Sequence, residues 1–190
     1  MYTKIFFSSV RKCVKELKKG GIIIYPTESV FGFGCDPDNQ TAVINLIIIK
    51  KRSIKKGFIL VAENYNRIKS YIADNEISSI QRDYMFSCWP GPVTFIVPTS
   101  PKTPSWLTGQ FNSLAVRITD HPSVKKLCKH FGKPIISTSA NISNQNPCRT
   151  FNDIKKQFGQ TFPILFGKTY GRERPSEIRN IITGDLIRQG

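Results

Sequence analysis

Val10-Arg11-Lys12-Cys13-Val14-Lys15-Glu16-Leu17-Lys18-Lys19-Gly20-Gly21-Ile22-Ile23-Ile24-Tyr25-Pro26 changes its hydrophobic period in mid-course. Val10, Cys13, Val14 and Leu17 recur at i, i+3, i+4, i+7, the stripe of an amphipathic helix. Gly20-Gly21 stops that helix, and the unbroken apolar run Ile22–Tyr25 predicts a short buried strand ended by Pro26. The same helix-to-strand grammar repeats down the chain. Helices are expected over 41–50 behind the capping run Asp38-Asn39-Gln40, and over 67–72, 77–86, 123–131 and 151–158. Strands are expected over 58–62, 93–97, 114–118, 135–137 and 163–166, with two terminal ones near 178–182 and 185–188. Such alternation gives one α/β domain, residues 1–190, with a largely buried sheet.

The chain has 190 residues, with Lys+Arg 28 against Asp+Glu 13, a net charge of +15. That field attracts polyanions: nucleotides, RNA or anionic lipid. A bilayer span needs roughly 20 apolar residues, and the longest run here, around Ile44–Ile49, is far shorter, so no membrane role is expected. Lys4, Arg11 and Lys12 interrupt any signal-like apolar core at the start. Five cysteines form an odd set without a C-x-x-C pair, which argues against a disulfide framework and for a reducing cytoplasmic location. His121 and His130 are too few for a His-based metal site.

Four segments break the helix–strand grammar. In Tyr25-Pro26-Thr27-Glu28-Ser29-Val30-Phe31-Gly32-Phe33-Gly34-Cys35-Asp36, hydroxyls and two glycines allow close backbone approach to a ligand, although a plain Gly-containing turn reads the same way. Lys50-Lys51-Arg52-Ser53-Ile54-Lys55-Lys56 is either a solvated basic loop or, if extended, a phosphate clamp with Lys50 and Arg52 on one side. Trp89-Pro90-Gly91-Pro92-Val93-Thr94 reads as a rigid structural turn entering a strand. In Ile135-Ile136-Ser137-Thr138-Ser139-Ala140-Asn141, the alternating Ser137, Ser139 and Asn141 present hydrogen-bonding groups on one face. Arg117 ends an apolar strand and needs an anionic partner. A structural salt bridge could supply it, but from Tyr84 to Asn152 the sole acid is Asp120, which favours a ligand carboxylate. No Ser-His-Asp set, paired carboxylates, P-loop or Rossmann fingerprint is present. Cations and small polar groups without a nucleophile suit nucleotidyl or phosphoryl transfer.

Taken in order, Pro26-Thr27-Glu28, Lys50-x-Arg52, Lys56-Gly57-Phe58-Ile59-Leu60, Trp89-Pro90-Gly91-Pro92, Val116-Arg117 and Thr138-Ser139-Ala140-Asn141 resemble the YrdC-type threonylcarbamoyl-AMP synthase family. The length resembles its short TsaC branch. The resemblance implies a twisted mixed sheet flanked by helices, with a basic concave face. It implies formation of threonylcarbamoyl-adenylate from L-threonine, bicarbonate and ATP with release of pyrophosphate, for modification of tRNA beside the anticodon by downstream enzymes. By position, Lys50 and Arg52 would be catalytic and would hold ATP with Ser139 and Asn141, assisted by Ser113 and Arg149. Thr27, Arg117 and Ser176 would line the threonine side. Magnesium would arrive mainly through ATP. Two departures stand out: the family's common Tyr is Phe31, and Ala62 lies near a His of the longer branch. The loop 98–112 and the segment 167–177 are candidate covers. The charge alone also suits a non-catalytic module that contacts double-stranded RNA or tRNA, or serves ribosome maturation, through the basic face; the Lys, Ile and Asn excess also fits AT-biased coding.

Overall fold

The computed structural model describes residues 7–190; the expectation that rests on Lys4 lies outside them. The elements run β1 (Phe7–Ser8), α1 (Val10–Lys18), β2 (Ile23–Pro26), β3 (Phe31–Gly34), α2 (Gln40–Lys50), β4 (Ile59–Ala62), α3 (Ser79–Cys88) and β5 (Val93–Pro98). They continue with α4 (Ser105–Thr108), β6 (Ser113–Ile118), α5 (Pro122–Phe131), β7 (Ile135–Ser139), α6 (Phe151–Phe158), β8 (Ile164–Leu165), β9 (Glu177–Asn180) and β10 (Leu186–Arg188). All ten strands join one mixed sheet in the order β1-β8-β2-β3-β7-β4-β6-β5-β9-β10. The family-type α/β architecture expected from the sequence is therefore present.

Strand alternation sorts the core into two layers. Ile23, Tyr25, Val61 and Ile135 pack under α1 and α5 with Cys13, Leu17, Leu127 and Phe131. Their neighbours Ile22, Ile24, Leu60, Ala62 and Ile136 face the opposite way, into a larger core with Leu46, Met85 and Ile154 of α2, α3 and α6. Side-chain caps start the helices where the sequence supplies them: Asn39 accepts from Ala42 N at 2.9 Å, and Ser78 and Thr150 close capping boxes with Gln81 and Asp153.

Three expectations change. The Gly-rich segment 31–34 is a strand, not a turn, paired antiparallel to β2. A Cβ on Gly34 would come within 2.8 Å of the Tyr25 ring, so this glycine makes room for a buried side chain rather than for a ligand. Phe31 is buried and packs edge-on against Phe151, with ring centroids 5.2 Å apart. The helix expected over 67–72 is instead two 3-10 turns, Tyr65–Arg67 and Lys69–Tyr71. The 98–112 connection contains α4, and it is pinned: Trp106 Nε1 donates to Pro37 O at 3.0 Å and Phe58 N to Leu107 O at 2.8 Å.

Candidate active site

On the sheet face that carries α1 and α5, these two helices cover only part of the surface. Over the rest, Ile59, Ala115, Arg117, Ser137 and Ser139 follow one another across β4, β6 and β7 and floor a cleft of about 430 Å³, within the range of small-molecule sites. Its walls are the β2–β3 turn, the α2–β4 connection, and residues 172–176 and 187–188. Among the described residues six arginines line it (Arg52, Arg117, Arg149, Arg172, Arg174 and Arg188) against one carboxylate, Glu28, and no lysine. Planar guanidinium forks match carboxylate and phosphate geometry better than ammonium point charges do.

Thr27, Arg52, Arg117, Ser139, Arg149 and Ser176 all reach this cleft from distant parts of the sequence. Thr27 spends its proton locally: Oγ1 donates to Val30 O at 2.6 Å and accepts from Ser29 N at 3.4 Å, closing the turn after β2. The Arg52 guanidinium donates to Gly57 O at 2.6 Å and lies 5.0 Å from the Phe58 ring centroid. Burial lowers the Arg52 pKa, and burial followed by the Arg117 charge lowers that of Arg188.

Lys50, Asn141 and Ser113 are not among the cleft-lining residues. The extended Lys50-x-Arg52 clamp does not form, because Lys50 ends α2 and Lys51 turns into the left-handed region at φ 48°, ψ 45°. Lys50 is 2% exposed. Its Nζ donates to Ser139 O at 2.5 Å, to Asn141 O at 2.8 Å and to Asn141 Oδ1 at 3.3 Å. Burial, then the neighbouring Arg52 charge, pushes its pKa down to about 8. Asn141 is equally committed. Its amide nitrogen donates to Ile142 O at 2.9 Å and Gln145 O at 2.8 Å, while Oδ1 accepts from Ser139 Oγ at 2.6 Å. Lys50 and Asn141 thus form a knot behind the wall that shapes the end of β7. Ser113 begins β6, paired with Pro98.

The partner that the sequence leaves open for Arg117 is Glu28, whose Oε2 lies 3.4 Å from Arg117 Nη1 while Oε1 accepts from Thr119 at 2.9 Å. The fork is not saturated. Arg117 Nε, Arg52 Nε, Ser29 Oγ and Glu28 Oε2 are buried without a hydrogen-bond partner among the described residues, so four polar groups of cleft-lining residues await acceptors or donors.

Of the segment 167–177, Arg172, Arg174, Pro175 and Ser176 line one side of the cleft, and none of 98–112 lines it. Arg149 holds this strap by donating to Arg172 O at 3.2 Å and Glu173 O at 2.6 Å, and Arg172 N donates to Glu28 O at 3.1 Å. Arg172, Arg174 and Arg188 went unread in the sequence. A signal existed for two of them: Arg172, Arg174 and Ser176 recur every second residue, which aligns them on one side of an extended segment.

The family model for Sua5, YciO and YrdC, described as "Telomere recombination", matches residues 15–190. A curated relative from Klebsiella pneumoniae subsp. pneumoniae, named threonylcarbamoyl-AMP synthase, is 54% identical over 96% of both chains. A doubly substituted P. abyssi Sua5 superposes with TM-score 0.87 at 25% identity, covering 95% of this chain and 56% of that longer one, so this chain spans little more than half of it. A P. abyssi Sua5 complexed with L-threonine superposes with TM-score 0.85 at 24% identity over 94% of this chain and 54% of that one, a likeness of fold. With its arginine-lined cleft set on this sheet, the chain belongs to the Sua5/YciO/YrdC family.

Proposed function

We propose that this chain is a threonylcarbamoyl-AMP synthase, a nucleotidyltransferase that joins L-threonine, bicarbonate and ATP and releases pyrophosphate. The observation that carries the reading is the charge of one cleft: six arginines against a single carboxylate that already faces Arg117. Such a site fits a triphosphate beside a second, smaller anion.

Threonine's amine attacks the carbon of carbon dioxide, supplied by bicarbonate, and loses a proton to give a carbamate. A carbamate oxygen then attacks the α-phosphorus of ATP, the bond to the β-phosphate breaks, and pyrophosphate leaves. In this reading Arg52 and Arg149 neutralise phosphate charge, and Ser139 orients the nucleotide. Lys50 and Asn141 act from behind the wall by fixing Ser139, and Lys50 adds its charge from there. Arg117 takes the threonine carboxylate with its free Nε, while Thr27 and Ser176 bound the amino-acid side. The strap over 167–177 keeps bulk water from the labile carbamate.

Glu28 is the one carboxylate among the described residues that line the cleft, and it faces Arg117, so the cleft residues fit a magnesium ion carried by the phosphates rather than caged by the chain. Such an ion would neutralise charge on the departing pyrophosphate. The product serves tRNA modification by downstream enzymes.

The test is pyrophosphate release from ATP with threonine and bicarbonate omitted in turn. Release that needs both supports the synthase. Release that ignores both, or none under any condition, overturns it.

A further inference from the structure

The segment Trp89-Pro90-Gly91-Pro92-Val93-Thr94 reads in the sequence as structural, with no group suited to chemistry. Its last residue nonetheless meets a side chain that lines the cleft. Thr94 is fully buried, at 0% exposure, on β5, and its hydroxyl meets one partner among the described residues, Ser176 Oγ at 3.0 Å. Ser176 lies one residue before β9, which pairs parallel to β5 with Thr94 opposite Ile178. Glu177 N donates to Pro92 O at 3.1 Å and fixes the approach of the two chains.

Proton accounting then sets the direction of each bond. Arg188 carries only donors and gives Nη2–H to Ser176 Oγ at 3.1 Å, while the same guanidinium grips Ser176 O at 2.7 Å. A buried hydroxyl proton without an acceptor is costly, and among the described residues the one acceptor in hydrogen-bond reach of Thr94 is the remaining lone pair of Ser176 Oγ. With both lone pairs filled, the proton of Ser176 itself has one place to point, which is the cleft that Ser176 lines.

We propose that Thr94 is a positioning residue that, with Arg188, locks Ser176 as a hydrogen-bond donor toward the amino-acid substrate. This rests on the synthase reading and deepens it: the threonine side of the site presents a fixed donor and therefore selects an oxygen acceptor on the substrate. Thr94 touches no substrate and acts through Ser176 alone.

The experiment compares wild type, Thr94→Val, Thr94→Ser and Ser176→Ala, with KM for threonine and for ATP measured separately. Thr94→Val keeps the shape and removes the donor, freeing Ser176 to turn. The expected result is a rise of about tenfold in KM for threonine, the scale of one hydrogen bond, with KM for ATP unchanged. Thr94→Ser restores the hydroxyl and stays near wild type. In a Ser176→Ala background, adding Thr94→Val has no further effect. An unchanged threonine KM in Thr94→Val overturns the proposal. So does Thr94→Ser impaired as much as Thr94→Val, since packing would then be the cause. If Thr94→Val does not fold, Thr94→Ala against Thr94→Ser makes the same comparison. A wild-type chain without threonine-dependent pyrophosphate release would instead overturn the synthase reading itself, and the subsite with it.

Discussion

The ammonium of Lys50, at the last residue of α2, donates to the main-chain carbonyl of Asn141 at 2.8 Å across 91 positions of sequence. This contact ties the end of a helix to the end of β7 and sets Ser139 on the cleft wall. It separates two residues that the motif would pair: Lys50 is buried away from the cleft lining, and the half-buried Arg52 lines it.

That division predicts different failures. Lys50→Met leaves the Asn141 carbonyl without its donor, while Asn141 Oδ1 keeps Ser139 Oγ and Ser139 O keeps Asn141 N, so it should lose about 1–3 kcal/mol of stability for that orphaned group along with turnover. Arg52→Ala should abolish turnover with little change in melting temperature. Thermal melts and single-turnover assays on both variants check this; equal stability in the two would refute the division.

Lys50 also gives a pH signature. Its pKa falls to about 8 in the fold, against 10.5 for an unperturbed lysine. Between these values the unfolded chain binds a proton that the folded one lacks, so this group's contribution to stability rises with pH across that window. Below about pH 8 its desolvation cost is constant. Denaturant unfolding at pH 7.5, 9 and 10 should show wild type gaining on Lys50→Met as pH rises.

The strap has its own test. Arg149→Ala removes the fork that holds the carbonyls of Arg172 and Glu173. Amide exchange over 168–176 should quicken while 98–112, pinned through Trp106 and Leu107, stays protected. Equal acceleration in both segments would show general loosening instead.

Cysteine chemistry provides a check on the cores. Cys13, Cys35, Cys128 and Cys148 are buried, and burial raises all four thiol pKa values, that of Cys13 to about 12 and Cys148 to about 11. Only Cys88 is partly exposed. A thiol reagent should therefore modify one cysteine quickly in the native protein and all five after unfolding.

Arg117 predicts a coupled loss. Removing it as Arg117→Ala strands the Glu28 carboxylate in a buried site, which costs about 3–5 kcal/mol for pairs of this kind. Arg117→Lys keeps the charge but not the fork, and should raise KM for threonine while leaving the melting temperature nearer wild type.

Much of this was legible without coordinates. The switch from a helical stripe at Val10–Leu17 to a solid apolar run at Ile22–Tyr25 reports a helix on a buried strand, because hydrophobic period depends on local geometry alone. The expected strands over 58–62, 93–97 and 114–118 appear within a residue or two for the same reason. In the glycine-rich stretch Gly32 lines the cleft, whereas Gly34 faces the Tyr25 ring, a contact set by strand pairing.

The sequence by itself determined the α/β class, the elements and the residue types that would gather at an anion site, since these follow from periodicity, caps and composition. Tertiary structure alone decided which cations reach the ligand space. A left-handed Lys51 turned Lys50 inward, Glu28 reached Arg117 across the sheet, and the chain return after β8 brought Arg172, Arg174 and Arg188 to the cleft. Those outcomes depend on strand order and long-range packing, and nothing local in the chain encodes which distant strand will lie alongside.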